Sequence, residues 1–296
     1  MISEVALIVT QASMLTFVVA SMAAMGLGLT LERISEPLRD WRLVVLLLVA
    51  NFVVVPVIAV AVGRLLPMDE AAATAVILIG CCAGAPFLPK LAQLAKGDVA
   101  LSVGAMVLLM VLTVFYAPIV VPLVIEGADV DPWDIASSLI VLMLVPLSVG
   151  LLIRARYEVL ADGWVETVGR ASSVALLLGI GAALLVTWQD LLGAIGSWIF
   201  VGTAILLAAG LISGYVAGVG RSRGDMTVTA LATAQRNIAA AIVVATSLSG
   251  DVVVLTLVGA IVIPIALIVL AGELGKSVSG SRPSAGVAID PEDASG

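Results

Sequence analysis

The chain has 296 residues, 61% hydrophobic and 12% charged, with a formal net charge of −7 and a mean hydropathy of +1.22; a soluble domain keeps roughly 25% of its residues charged, so this is an integral membrane protein. With no histidine, a Ser-His-Asp triad, an HExxH zinc site and an imidazole relay are all excluded. The two cysteines, Cys81 and Cys82, are adjacent and give neither a disulfide framework nor a CxxC site, and the absence of a basic patch argues against nucleic acid as a partner.

Apolar runs of about 20 residues, bounded by charges or Gly/Pro clusters, predict about nine transmembrane helices. They lie near 5–30, 43–66, 71–95, 99–125, 134–153, 167–188, 193–219, 226–249 and 251–273. The runs are apolar all round, which fits helices in lipid and not the alternating strands of a barrel. The fold class is therefore an all-α integral membrane protein. The first run has no charge-rich region ahead of its apolar stretch as a signal peptide would, since the first basic residue is Arg33, and it is read as a retained span.

The third run departs from the pattern, reading Gly80-Cys81-Cys82-Ala83-Gly84-Ala85-Pro86-Phe87-Leu88-Pro89-Lys90. Proline has no N–H and clashes with the preceding turn, so carbonyls near Pro86 and Pro89 need other partners. Irregular backbone at membrane depth survives only where protein buries it or where it lines a cavity. Residues 154–166 are polar but carry no sign of a soluble domain. The eighth run holds Gln235-Arg236-Asn237 near its middle, where a charge costs about 2.5–3.5 kcal/mol on insertion scales. Interrupted spans at corresponding places in two halves point to a transporter binding site, and spans 3 and 8 fit that description. From about Lys276 the composition turns to Ser, Gly, Pro and Asp, ending in an acidic stretch with Asp290, Glu292 and Asp293; residues 276–296 read as a disordered tail.

Segments in or near the loops after odd-numbered spans carry Arg33, Arg39, Arg42, Lys96, Arg154, Arg156, Arg170, Arg221, Arg223, Lys276 and Arg282, whereas the loops after even-numbered spans carry only Arg64. The positive-inside rule then places the N-terminus outside and the C-terminus in the cytoplasm of a multi-pass plasma-membrane protein. Trp41, Trp133, Trp164, Trp188 and Trp198 fall near span ends, as an aromatic belt requires.

Met25-Gly26-Leu27, Ala50-Asn51-Phe52 with Pro56, Gly80-Cys81-Cys82, the stretch Leu94-Ala95-Lys96-Gly97-Asp98-Val99-Ala100-Leu101-Ser102-Val103, and Gln235-Arg236-Asn237 together resemble the bile acid:sodium symporter family over nearly the whole chain. The resemblance implies two inverted five-helix repeats, panel and core domains, and two crossed broken helices. With no span ahead of Met25-Gly26-Leu27, a nine-helix variant without the first helix is expected. Residues 1–275 would form one transporter domain, with repeats of about 1–130 and 131–275, ahead of a cytoplasmic tail.

The resemblance also implies sodium ligands, and here the chain departs from the family. The Ser-Asn pair of the first broken helix falls on Leu88 and Pro89, a Thr on Met106, the Glu of the second broken helix on Ala232 and its Gln on Arg236. Ser102 remains, and an earlier Gln becomes Asn51. A sodium ion needs about five or six hard oxygens, and most of the side-chain oxygens are gone. Two cations, Lys90 and Arg236, have arrived, and no carboxylate lies inside a span to neutralise them. The expectation is that they replace the sodium ions by bonding to freed carbonyls and helix C-terminal ends.

The candidate substrate and ion site thus comprises Lys90, Arg236, Asn237, Gln235, Thr233, Ser102, Asn51, Pro86 and Pro89. Blander readings stand beside it. Lys90 can snorkel to the interface, Arg236 can be a purely structural cap, Asn51 and Asn237 can bond between helices, Ser102 can bond its own helix, and Cys81 and Cys82 can simply pack. The leading reading is a sodium-independent secondary carrier for a small or amphipathic organic anion, working by alternating access. Its alternatives are a Na⁺-coupled organic anion symporter, in which Ser102, Asn51, Thr233, Gln235 and backbone carbonyls hold an ion, and a non-transporting sensor or scaffold. An enzyme is not expected, because the spans hold no Asp pair, no His and no GxSxG elbow. No cofactor motif occurs, and nothing in the sequence specifies a substrate or an oligomeric state.

Overall fold

A computed structural model describes residues 2–30, 39–125, 131–193 and 196–280, together with Glu32 and Ser35. Arg33, Arg282 and the acidic residues Asp290, Glu292 and Asp293 lie outside the described residues, as does the side chain of Trp188.

In chain order the helices are α1 (Ile2–Gly28), α2 (Trp41–Val49), α3 (Val55–Leu65), α4 (Glu70–Cys81), α5 (Leu88–Leu94), α6 (Val99–Val124), α7 (Pro132–Leu139), α8 (Val145–Arg156), α9 (Glu158–Gly193), α10 (Ile199–Ala217), α11 (Arg223–Ala234), α12 (Ile238–Ala245) and α13 (Gly250–Gly280). Among the described residues there is no strand. Among the described residues, seven helical stretches are long and apolar enough to cross a membrane. The expected spans 71–95 and 167–188 fall on the α4–α5 pair and within α9.

Two of the expected interruptions are present: α4 stops at Cys81 and α5 begins at Leu88, while α11 stops at Ala234 and α12 begins at Ile238. Two features differ from the sequence reading. Helix α9 starts at Glu158, so most of the polar stretch 154–166 is helical; Arg154 bonds to Asp162 and, at 3.2 Å, to Glu158, and Glu166 pairs with Arg170. Helix α13 runs on to Gly280, past the expected tail boundary at Lys276. Its last turns are held by a Lys276–Glu273 pair at 2.7 Å and by Gly275, which lies against the Leu94 carbonyl.

The packing is that of a protein dissolved in lipid. Large apolar side chains such as Ile119, Leu123, Leu177, Ile212 and Val269 are exposed, while Asn51, Thr113, Thr229, Thr233, Gln235, Arg236 and Asn237 are buried. Without a hydrophobic driving force between helices, close approach through small residues holds membrane helices together. Helix α10 supplies it for the second broken helix: a Cβ at Gly210, Gly214 or Gly218 would fall 2.3–2.7 Å from atoms of α11. Helix α1 packs chiefly on α8 and α9, and α3, α4, α10, α11, α12 and α13 pack on one another.

One end of the bundle gathers the loops to which the positive residues map. Gly97, after α5, sits against Gly224 and Val228 of α11, and Arg221 joins Asp40, the N-cap of α2, to Asp225 at 3.5 Å. The Leu43 amide and the Arg221 guanidinium, in that order, hold the Asp40 carboxyl below its ordinary value of 3.8. A carboxylate depressed in the folded state contributes stability that is present above its unfolded value and is lost as pH falls through the folded one. Thermal melts taken below pH 4 are therefore expected to fall more steeply for the parent than for Asp40→Asn, which keeps a good N-cap but has no carboxylate to protonate.

Candidate functional site

The two broken helices meet at their breaks, and Arg236 lies at the junction with 1% of its surface exposed. The segment Gln235-Arg236-Asn237 is non-helical because α11 ends in an extended residue, Gln235 at φ −76°, ψ 105°. Arg236 Nε donates to the Ile79 carbonyl at 3.2 Å, one terminal nitrogen to Asn51 Oδ1 at 2.9 Å and the Thr233 carbonyl at 3.2 Å, and the other to the Gly80 carbonyl. Ile79 and Gly80 close α4, and Thr233 closes α11. The guanidinium therefore caps two helix C-termini at once. Each C-terminus carries roughly half a negative charge, so together they offset about one positive charge.

Further carbonyls in the first break are also met. Asn237 donates its backbone N–H to the Cys82 carbonyl at 2.9 Å and its Nδ2 to Gly84 at 3.1 Å, while its Oδ1 caps α12 at Ala240. Thr113 on α6 both accepts from the Ala83 N–H and donates to the Ala83 carbonyl, each at 3.0 Å. Gly84 makes this approach possible: its φ is +79°, and a Cβ there would lie 2.1 Å from the Met110 nitrogen. Asn51 completes the junction by donating to Leu47 O at 2.9 Å and Thr233 Oγ1 at 3.0 Å.

Asn51 sits in a π-helical turn, Ala50–Val54, that the sequence reading did not anticipate. Its signal was Pro56. The missing donor of Pro56 frees the carbonyl four residues back, at Phe52, and the Tyr116 hydroxyl takes it at 2.8 Å. Thr113 was missed as well; it is one hydroxyl in an unbroken apolar helix, and only its tertiary partner distinguishes it.

The other candidates divide. Thr233 bonds its own helix at Thr229 O, 3.0 Å, and accepts from Asn51. Ser102 donates to Val99 O at 2.6 Å, a bond within its own helix. Gln235 is buried, and its Oε1 has no partner among the described residues. Pro86 lies in the break and Pro89 in the first turn of α5, both half-buried. Cys81 and Cys82 are free and fully buried.

Lys90 is the correction. It was expected to share the crossing with Arg236, but it is exposed on α5, and no described partner at the crossing bonds it. Helical phase is the reason: Leu88, Leu91, Ala92 and Ala95 point inward, leaving Lys90, Gln93 and Leu94 on the outer face. The junction therefore holds one cation, already compensated by the helix ends, and not two uncompensated ones.

Of the positions the resemblance assigns to sodium ligands, Ser102 and Asn51 keep a side-chain oxygen and the others do not. Leu88, Met106 and Ala232 are buried in the apolar core and supply no side-chain oxygen, nor does Pro89. Four oxygens at the junction, from Ile79, Gly80, Thr233 and Asn51, already accept from Arg236.

A family model described as the sodium bile acid symporter family matches residues 14–194. The chain belongs to this family. Relatives in it include an uncharacterized sodium-dependent transporter, YocS, of Bacillus subtilis, 27% identical over 202 residues, which are 67% of this chain and 60% of YocS. A probable chloroplastic sodium/metabolite cotransporter, BASS2, of Oryza sativa is 27% identical over 220 residues, 70% of this chain and 49% of that protein. The sodium/bile acid cotransporter 4 of Mus musculus is 27% identical over 207 residues, 64% and 46% respectively. The chain spans about half the length of the curated relatives it matches. The family is one of membrane transporters, and the long apolar helices of this chain are those of a multi-pass membrane protein.

Proposed function

We propose that this chain is a secondary carrier for a small or amphipathic organic anion that works by alternating access without sodium, the Arg236 guanidinium standing where a sodium ion would bind. The observation that carries the reading is the set of four hydrogen bonds from buried Arg236 to Ile79, Gly80, Thr233 and Asn51. A fixed cation holds the broken helices together in every state, so the carrier needs no ion to cross the membrane empty. Helices α1, α8 and α9 act as the panel against which the remaining helices rock, and the end bearing Lys96 and Arg221 faces the cytoplasm of the plasma membrane by the positive-inside rule.

Because the helix ends compensate Arg236, it contributes little attraction for an anion. The anion preference rests on the family and on Lys90. The Na⁺-coupled symporter is kept as a second reading because the relatives are named as sodium-dependent or sodium cotransporters. Proteoliposome uptake of a bile acid and of small carboxylates separates the two: equal rates in sodium and in choline salts are expected here, whereas uptake that stops in choline supports the symporter.

A further inference from the structure

Arg236 alone serves the crossing, which leaves Lys90 outside it. A lysine within a membrane-spanning segment is costly unless water or a partner reaches it, and here it shares one face of α5 with exposed Gln93, one turn further on. The helix packs on α6, α11 and α13, which cover its inner face, while α1, α8 and α9 lend it no comparable contact. At the other broken helix the arrangement reverses, because α12 packs against α7. The two half-helices lie on opposite sides of the crossing, so α7 covers α12 on one side while nothing comparable covers the outer face of α5 on the other.

We infer that the Lys90–Gln93 face of α5 lines a water-filled vestibule open to the end that carries the α5–α6 turn, and that Lys90 is its anion-attracting, specificity-determining charge. The inference rests on the carrier reading but not on sodium independence. Small anions entering from that end meet the ammonium group before they reach the crossing, and cations are disfavoured on the same path.

The native cysteines are buried, so a cysteine introduced at an exposed position is the reactive one. Gln93→Cys would be made with Lys90 present and with Lys90→Gln. Arg223→Cys marks one end of the bundle and Glu70→Cys the other, since both positions are exposed. Membrane-impermeant sulfonate and trimethylammonium methanethiosulfonates would be applied to sealed vesicles of either orientation. The Gln93→Cys protein is expected to react from the side that labels Arg223→Cys. The sulfonate-to-trimethylammonium rate ratio is expected to fall about threefold when Lys90 is neutralised, as one screened charge roughly 6 Å away in water gives. A cysteine at 93 that resists both charged reagents, or that only a lipid-soluble maleimide modifies, means a lipid-facing lysine and overturns the proposal. So does labelling from the Glu70 side or an unchanged ratio. None of these results depends on whether sodium is coupled, so failure here is distinguishable from failure of the carrier's proposed ion independence.

Discussion

Replacing Arg236 with methionine is expected to destabilise the protein by about 3 kcal/mol or more, since each buried acceptor left without a donor costs about 1–3 kcal/mol. The methionine fills the space, but the carbonyls of Ile79, Gly80 and Thr233 and the Asn51 amide oxygen lose their donor in a region that water does not reach. Arg236→Lys should fall between the two, since an ammonium keeps the charge but cannot match the planar fork that reaches two helix ends together. The informative variant is Arg236→Gln. It removes the guanidinium and adds a fifth oxygen to the four it vacates, which approaches the number a sodium ion requires. We expect Arg236→Gln to be less stable than the parent in choline chloride and to recover part of the loss in sodium chloride. Thermal unfolding of purified protein in matched salts measures both effects. A variant that stays depressed equally in both salts would mean that the vacated oxygens do not converge on an ion-sized space.

Gly84→Ala is expected to cost about 2–5 kcal/mol and to abolish transport. The positive φ contributes roughly 1–2 kcal/mol of this for a residue with a Cβ, and the clash with the α6 backbone a further 1–3 kcal/mol of overpacking. The Met110 nitrogen and Cα, 2.1 and 2.6 Å from the added carbon, are backbone atoms that cannot swing aside. Moving Gly84 off α6 also pulls its carbonyl from Asn237 and the Ala83 groups from Thr113. Gly250→Ala is the control: an added Cβ there meets nothing within 4 Å, so its stability should stay within about 0.5 kcal/mol of the parent. Denaturation in detergent, followed by helical signal, reads both.

Much of this arrangement was legible before any coordinates. The breaks in the third and eighth spans announced themselves because Gly, Pro and charge within an apolar run contradict what lipid tolerates, and such contradictions are local. The family resemblance could be read from stretches that the fold then brings together at Asn51, the Gly80-Cys81-Cys82 segment and Arg236. What could not be read was which donor meets which carbonyl. Arg236 reaches Ile79 across more than 150 positions of chain, and no periodicity encodes that. The orientation of Lys90 was not legible for a simpler reason. Depth along the sequence placed it beside the crossing, but the phase of α5 turns it away, and the start of that helix is set by Phe87 and Pro89 and not by the apolar pattern. No carboxylate in the sequence neutralises Arg236, because the compensating charge comes from two helix ends that exist only once the helices are broken.

In the proposed mechanism a tethered guanidinium occupies the place of a coupling ion. The most direct test is the thermal stability of the purified parent protein in sodium chloride against choline chloride at equal ionic strength, over a rising salt series. An ion bound only by the folded state adds about 2.7 kcal/mol at 100 times its dissociation constant. Coincident melting curves are expected at every concentration. A saturating, sodium-specific rise in the parent would contradict the mechanism and restore the sodium-coupled reading.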